Sequence, residues 1–143
     1  MSENYEQIRL RFPSKLFFVD ISQEAIQKML EHFMVLNDEV FWISLAIREG
    51  LINAVKHGNK FDDTKYVELR VGLRGNTLRI EIMDEGKGFE IKDIPNPLDE
   101  ENLLKPSGRG IFYIRSFMDH VAFSRIDSSG MRVIMEKNVS FED

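Results

Sequence analysis

The N-terminal part of the chain shows two kinds of hydrophobic pattern. The segments Ile8 to Phe12 and 15 to 21 (K-L-F-F-V-D-I) are rich in aromatic and β-branched residues, which favours one or two strands. Ser22 is then placed to act as an N-cap. From Ala25 to Leu36 apolar residues recur at spacings of three and four, which predicts an amphipathic helix.

A second helix is predicted after Asp38, whose side chain can cap its first turn. The apolar residues between Val40 and Val55 fall on more than one side of such a helix, so we expect it to be largely buried. The pattern ends near His57-Gly58-Asn59, where glycine and asparagine tolerate the left-handed conformation that stops helices.

Alternating apolar and polar positions predict a β-hairpin in the middle of the chain. Its strands run through Val67 to Leu73 and Leu78 to Ile82, with the turn at Gly75-Asn76. After a long intervening segment, Val121 to Ile126 and Met131 to Glu136 are predicted as two more strands. A short helix at Ile111 to Met118 precedes them.

Residues 85 to 110 are rich in glycine, carry three of the four prolines and have no sustained periodicity. Loops longer than about 12 to 15 residues are uncommon in compact domains unless they bind something or close over a site. We therefore expect a functional loop here.

Composition limits the classes of function. A length of 143 residues predicts one domain, 1–143, and the net charge of −5 argues against a direct nucleic-acid partner. The absence of cysteine excludes disulfides, thiolate metal sites and a cysteine nucleophile. Neither a signal-peptide pattern nor a long apolar segment is seen, so we expect a soluble, cytoplasmic protein without membrane contact.

Glu49 and Asn53 interrupt the apolar second helix four residues apart, and so share one of its faces. Burying an unpaired carboxylate costs several kcal/mol, so Glu49 must reach solvent or meet a charged partner such as a divalent cation. The alternative is that both residues lie on the solvated side of the helix with Arg48 and Lys56.

Asp84 shares the parity of the apolar residues in the preceding strand and should point to the buried face. It needs hydrogen-bond donors there, for which the exocyclic amine of a purine and a simple Asx turn are the two candidates. Gly86 and Gly88 would let the backbone pass close to a flat ligand. Further on, Ser107 to Ile111 (S-G-R-G-I) precedes a predicted helix start, which favours phosphate binding.

Three segments, in order, resemble the N, G1 and G2 boxes of the GHKL ATPases: E-G-L-I-N at 49–53, D-E-G-K-G at 84–88 and G-R-G-I at 108–111. The similarity covers almost the whole chain. It includes N-A-V-K-H-G after the first box and I-R-S-F-M-D after the third, which look like the anti-sigma factor serine/threonine-protein kinases.

The resemblance implies an α+β two-layer sandwich, the Bergerat ATP-binding fold. The sheet would be mixed and mostly antiparallel, with helices on one face and a nucleotide lid at approximately 85–110. ATP and Mg²⁺ would be the cofactors. Asn53 would coordinate Mg²⁺, Asp84 would accept from the adenine amine, and Glu49 would orient or deprotonate the attacking hydroxyl. The implied cofactor-binding residues are Asn53, Asp84, Gly86, Gly88, Lys105, Gly108, Arg109, Gly110 and Ile111.

One departure from the family's pattern concerns the last strand. Relatives often begin it with Gly-Thr, the threonine assisting the adenine-binding aspartate, whereas this chain has Gly130-Met131. What supports Asp84 is therefore an open question at the level of sequence.

The implied function is that of an ATP-binding anti-sigma factor with serine/threonine kinase activity towards a small antagonist protein, so that phosphorylation switches partners. Its partners would be a sigma factor and the antagonist, and a homodimer is left open. Two alternatives remain. The chain could be a non-catalytic, ATP-dependent binding module of the same fold, or a regulatory kinase of a scaffold protein that binds no sigma factor.

Overall fold

A computed structural model describes residues 5–86, 114–126 and 129–143, which form one antiparallel sheet and two helices. Within these residues the strand order is β1-β2-β3-β5-β4, and each neighbouring pair is antiparallel. The α+β fold class is confirmed, but the sheet expected to be mixed is antiparallel throughout these residues. The elements are β1 (Tyr5–Pro13), α1 (Leu16–His32), α2 (Asn37–Asn53), a π-helical turn (Ala54–Gly58), β2 (Tyr66–Arg74), β3 (Thr77–Met83), β4 (His120–Arg125) and β5 (Met131–Asn138).

The predicted hairpin is confirmed, and it separates an apolar face of the sheet from a charged one. Leu73 pairs with Leu78 across the turn. The alternate apolar residues of β2 and β3 are buried beneath the helices. On the opposite face, Glu68 accepts from Arg70 Nε at 2.6 Å and forms an ion pair with Arg9 of the neighbouring strand at 3.7 Å. One face therefore forms the core and the other is solvated.

The prediction of a strand at 15–21 is wrong, because α1 begins at Leu16. Aromatic and β-branched residues favour a strand locally, but a helix allows this segment to bury one side against the rest of the core. Ser22 is consequently not an N-cap: it lies inside α1, where its hydroxyl donates to the Phe18 carbonyl at 2.7 Å. The buried residues of α1 are Val19, Ser22, Ile26 and Leu30.

The boundary between the helices also differs from the prediction. The first helix ends at His32 rather than Leu36, and Met34 adopts a positive φ of 64° between them. Asp38 lies in the first turn of α2, whereas Leu36 is the residue at the cap and provides no side-chain hydrogen bond. A carboxylate in the first turn still interacts favourably with the helix dipole.

The second helix and its end near Asn59 are confirmed, but its first two turns are less buried than expected. Phe41 is 62% exposed and Trp42 is 41% exposed. The Trp42 ring stacks on Phe117 with centroids 6.2 Å apart, and Lys137 Nζ lies 4.6 Å from the Phe117 ring centre. An aromatic contact thus joins the start of α2 to the segment before β4.

The strands predicted at 121–126 and 131–136 are confirmed as β4 and β5. Of the helix predicted at 111–118, residues 114–117 are helical and 111–113 lie outside the described residues. Most of the predicted loop at 85–110 also lies outside them. Neither of the helices that the structure describes combines the length and hydropathy needed to cross a bilayer.

Close packing of α2 on β3 generates a stability prediction. A Cβ built on Gly50 would lie 2.6 Å from Ile82 Cδ1, in a fully packed region. We expect Gly50→Ala to force this methyl group aside, whereas Ile82→Val deletes it. Ile82→Val alone should lower the free energy of unfolding by about 0.5–1.5 kcal/mol. In the double variant the loss should be smaller than the sum of the two single losses by at least about 0.5 kcal/mol. Urea unfolding of the four proteins measures this coupling, and strict additivity would contradict the packing argument.

Candidate functional site

A cleft opens between the C-terminal half of α2 and the ends of β3 and β5. Its lining is mainly apolar, and among the described residues the two side chains in it that can form strong hydrogen bonds are Asn53 and Asp84. Mainly apolar pockets with a few convergent polar groups are typical small-molecule sites. The described lining residues are Gly50, Asn53, Ala54, Ile82, Asp84, Ile114, Phe123, Met131 and Val133.

Asp84 extends the pairing of β3 with β5 by one step and lies at the floor of this cleft. Its N–H donates to the Met131 carbonyl at 3.0 Å. In return, the Asp84 carboxylate accepts through Oδ1 from the Met131 N–H at 3.2 Å and from the Gly86 N–H at 2.9 Å. The side chain is 7% exposed, so the predicted inward orientation is confirmed.

Burial raises the pKa of the Asp84 carboxyl above its ordinary value, and the two backbone N–H donors partly oppose that rise. The hydrogen bonds to the Asp84 carboxylate extend beyond an Asx turn. The Gly86 bond has the geometry of such a turn, but the second donor comes from a different strand. The Asx-turn interpretation of Asp84 thus describes part of the site, and its contact with a purine amine stays a prediction.

Met131 begins the last strand, at the position where relatives often have threonine. Met131 supplies its backbone N–H to Asp84, and its side chain is buried in the cleft wall. A thioether cannot donate a hydrogen bond. Asp84 is thus supported here by main-chain donors, and the methionine adds apolar surface in place of a hydroxyl.

The chain crosses itself closely beside the aspartate. A Cβ on Gly58 would overlap the Asp84 carboxylate, and a Cβ on Gly86 would overlap the Gly58 carbonyl. Glycine at both positions allows the end of the π-helical turn to lie directly against the segment after β3. Gly86 was expected to let the backbone approach a ligand, which stays a prediction; the structure shows that it lets the backbone of Gly58 approach.

Asn59 is a site residue that the sequence analysis missed. It is 2% exposed, and its Nδ2 donates to Ser14 Oγ at 2.8 Å and to the Tyr66 carbonyl at 3.0 Å. Its Oδ1 accepts from the Glu85 N–H at 2.8 Å. The amide thereby joins the ends of three separated segments next to Asp84. Its position after a helix-ending glycine suggested only a helix terminus.

The backbone around Asn59 is irregular. The π-helical turn widens the helix before it, and Lys60 and Phe61 have positive φ values of 53° and 60°. Such conformations are unfavourable for residues other than glycine and are often found near functional sites. In this chain they turn the backbone so that Asn59 points inward while Lys60 and Phe61 stay exposed.

Asn53 is the last residue of α2, and Glu49 lies one turn before it; both are half-buried. Glu49 is not among the described residues that line the cleft. Arg48 and Lys56, the proposed companions on a solvated stripe, behave differently from each other. Arg48 donates to Asp20 at 2.6 Å and joins the two helices, whereas Lys56 is exposed.

The fit of a magnesium ion can be judged from the available oxygen ligands. Among the described residues, no group of three or more Asp, Glu or His side chains is placed to hold a metal ion. Mg²⁺ commonly takes only one or two protein ligands and completes its shell with phosphate oxygens and water. The Asn53 carboxamide, which lines the cleft, fits a site of this kind. A site made of protein ligands alone is not found among the described residues.

The remaining predicted site residues lie outside the described part of the chain. Their proposed contacts with the nucleotide and its phosphates therefore stay predictions. They are Gly88, Lys105, Gly108, Arg109, Gly110 and Ile111.

The family model of the histidine kinase-like ATPase domain matches residues 12–137. Because this is most of the chain, the protein belongs to the histidine kinase-like ATPase domain family. The recognition of the GHKL superfamily and its anti-sigma factor kinase type from three sequence boxes is confirmed.

Among curated proteins, the serine-protein kinase RsbW of Bacillus thuringiensis (strain Al Hakam) is 26% identical to this chain. The match covers 99% of this chain and 91% of the relative. RsbW of Bacillus cereus (strain Q1) is 25% identical over the same shares. The similarity to these kinases thus extends over nearly the full length of both proteins.

Two solved structures share the fold. The RsbU and RsbW domains of a Mycobacterium tuberculosis protein give a TM-score of 0.70 at 14% identity, covering 96% of this chain and 33% of that one. The domain of a blue-light activated histidine kinase from Erythrobacter litoralis gives 0.56 at 18% identity, covering 89% and 61%. The chain spans less than two thirds of either, and the likeness concerns the fold alone.

The raised pKa of Asp84 generates a prediction about stability. A carboxyl group with a higher pKa in the folded state binds its proton more tightly there, so stability falls as pH rises from the unfolded pKa through the folded one. Asp84 is therefore destabilising when ionised at neutral pH. We expect Asp84→Asn to increase the free energy of unfolding at neutral pH, because the amide oxygen can still accept from Gly86 and Met131.

Asp119 provides a control of opposite sign. Its carboxylate accepts from the Asn138 N–H at 2.7 Å, and this bond lowers its pKa. Asp119→Asn should therefore lower stability at neutral pH, and the difference should shrink as the pH falls. Denaturant unfolding across the acidic and neutral range measures both variants. A loss of stability in Asp84→Asn at neutral pH would contradict the assigned cost of burial.

Proposed function

We propose that the cleft binds the adenine ring of ATP, with Asp84 as acceptor for the exocyclic amine. The observation that carries this proposal is the division of the Asp84 carboxylate. Oδ1 is occupied by two backbone donors, whereas Oδ2 accepts no hydrogen bond from the described residues. A carboxylate oxygen at the wall of an apolar cleft is a strong acceptor, and the amine of a bound purine would donate to it.

The surrounding surface favours a flat ring. Ile82, Met131 and Val133 line the cleft beside Asp84, and Phe123 lies on β4 nearby. The apolar side chains favour a flat ring with little polarity on its faces. The carboxylate of Asp84 favours a ring that carries a hydrogen-bond donor at its edge. The family membership supports the same assignment, because it is the membership of an ATPase domain.

Asn53 would hold Mg²⁺ through its carboxamide oxygen at the edge of the cleft. When bound, the ion would neutralise charge on the phosphates. The position of Asn53 fits this role because Asn53 and Asp84 line the same cleft. An adenine ring bound to Asp84 would therefore direct its ribose and phosphates along the end of α2.

Phosphate transfer is the second part of the proposal. Glu49 is one helical turn before Asn53 on the same face of α2. A serine hydroxyl of a partner would attack the γ-phosphorus, its oxygen forming the new bond while the bond to the β–γ bridging oxygen breaks. Glu49 would orient the hydroxyl and accept its proton. The named activity of the RsbW relatives, serine-protein kinase, supports this chemistry.

The function we propose is that of a cytoplasmic anti-sigma factor and serine kinase. It would hold a sigma factor in one state and phosphorylate a small antagonist protein in another, alone or as a homodimer. A non-catalytic binding module would use the same cleft, so the presence of transfer decides between these alternatives.

Nucleotide selectivity follows from Asp84. We expect ATP to bind more tightly than GTP, because guanine presents a carbonyl where adenine has its amine. Asp84→Asn replaces one acceptor with a donor and should weaken ATP binding by roughly 10- to 100-fold. Isothermal titration calorimetry with Mg²⁺ measures both effects. Equal affinities for ATP and GTP in the wild type would refute the adenine assignment.

The proposed roles of Glu49 and Asn53 predict different kinetic defects. Glu49→Gln should leave ATP affinity nearly unchanged and slow phosphate transfer by about 10²- to 10⁴-fold, the usual contribution of a general base. Asn53→Ala should weaken both binding and transfer. Radiolabelled transfer to an antagonist protein from the same genome, beside ATP titrations, tests this.

Glu39→Gln is a matched control, because Glu39 lies at the opposite end of α2 and accepts from the Ser140 N–H. It should behave like the wild type in both assays. Wild-type transfer by Glu49→Gln would remove Glu49 from the mechanism. If the wild type transfers no phosphate while ATP still alters partner affinity, the protein is a binding module.

A further inference from the structure

Asn59 lies outside the three sequence boxes, yet its side chain makes three hydrogen bonds with described residues, one more than that of Asp84. One amide uses both donors and its acceptor, on Ser14 at the end of β1, Tyr66 at the start of β2 and Glu85 after β3. These partners lie 45, 7 and 26 residues away along the chain. A hydroxyl side chain cannot span three such positions, so the site requires an amide.

The contact with Glu85 is the one that reaches the candidate adenine site. Asn59 Oδ1 fixes the N–H of the peptide that directly follows Asp84. That peptide sets the direction in which the chain leaves β3. Only with this direction does the next N–H, that of Gly86, turn back to the Asp84 carboxylate.

A second contact holds the same segment from its other side. The Glu85 side chain accepts from the Tyr66 N–H through Oε1. Tyr66 in turn offers its carbonyl to Asn59 Nδ2, so the three residues close a ring of hydrogen bonds. Ser14 anchors this ring to the body of the fold through its own bond to the Lys65 carbonyl at 2.7 Å.

The result is a fixed orientation of Asp84. Gly86 and Met131 occupy Oδ1, and the Gly58 backbone packs against the carboxylate so closely that no side chain fits between them. Because Gly58 directly precedes Asn59, the same amide that holds Glu85 also holds Gly58 in place. Of the two carboxylate oxygens, Oδ2 is the one that a Cβ on Gly58 would meet first, and it accepts no hydrogen bond from the described residues.

We propose that Asn59 is the positioning residue for base selectivity: it holds the Asp84–Gly86 turn so that the carboxylate of Asp84 meets the exocyclic amine of the purine. This inference rests on the proposed adenine site. It predicts that loss of the Asn59 amide removes the contribution of the 6-amino group to binding while leaving contacts with the rest of the nucleotide.

The test compares ATP with purine riboside 5′-triphosphate, which lacks the 6-amino group and is otherwise the same. In the wild type we expect ATP to bind roughly 10- to 100-fold more tightly, the range for a hydrogen bond to a charged group. In Asn59→Leu, which has a similar volume without the hydrogen bonds, the ratio should fall below about 3-fold, while the analogue binds as it does to the wild type.

If Asn59 had only a structural role, its loss would lower stability without changing the ratio of the affinities for ATP and the analogue. The control is therefore a variant that is destabilised away from the cleft. Ile26→Val deletes a methyl group from a fully buried side chain of α1 that is not among the residues lining the cleft. Its melting temperature should fall, and its ratio of affinities should equal that of the wild type. Circular dichroism confirms that each variant is folded before titration.

Two further variants keep the outcome decisive. If Asn59→Leu does not fold, Asn59→Ser leaves a smaller polar side chain that water can accompany, and it should lower the ratio in the same way. In an Asp84→Asn background, Asn59→Ser should produce no further change, because the positioned group is already altered.

The two levels of the proposal fail differently. A wild type that binds ATP and the analogue equally would overturn the adenine assignment and this inference with it. A wild type that prefers ATP, together with folded Asn59 variants that keep the full preference, would overturn the role of Asn59 and leave the adenine site intact.

Discussion

Burying the carboxylate of Asp84 at the end of β3 costs free energy that only donors held in fixed positions can offset. Two of those donors are backbone N–H groups from different segments, Gly86 and Met131. Each N–H can donate to Asp84 only if its backbone segment is held in place. The β3–β5 pairing holds Met131, and the hydrogen bond from Glu85 to Asn59 holds the segment of Gly86. The irregular turn after α2 and the close crossing of Gly58 and Gly86 follow from this requirement.

Several features around Asp84 lower the stability of the folded protein. The ionised aspartate and the unfavourable φ values of Lys60 and Phe61 both cost free energy in the folded protein. The extensive core beneath the sheet can support them, since it joins residues of both helices and all five strands. Family membership and near full-length similarity to serine-protein kinases agree with a site of this kind.

Much of the fold could be predicted, because period and turn chemistry are local. The β2–β3 hairpin, the second helix and the last two strands appear where alternation and helical spacing place them. The segment 15–21 could not be predicted correctly, since its residue types favour a strand and only packing makes it helical. Asp84 was recognisable from parity alone. Asn59 was not, because its three partners are defined by the assembled fold and have no regular spacing in the sequence.

The aromatic stack between Trp42 and Phe117 has a consequence for experiment as well as for packing. Trp42 is the only tryptophan in the chain, so all indole emission comes from one ring. That ring is partly in water and partly against Phe117, which itself carries a lysine ammonium over its face. Any displacement of the segment at 114–117, which follows the third sequence box, would change the polarity around the indole. The protein therefore contains an intrinsic fluorophore that needs no added dye to follow movement of this segment.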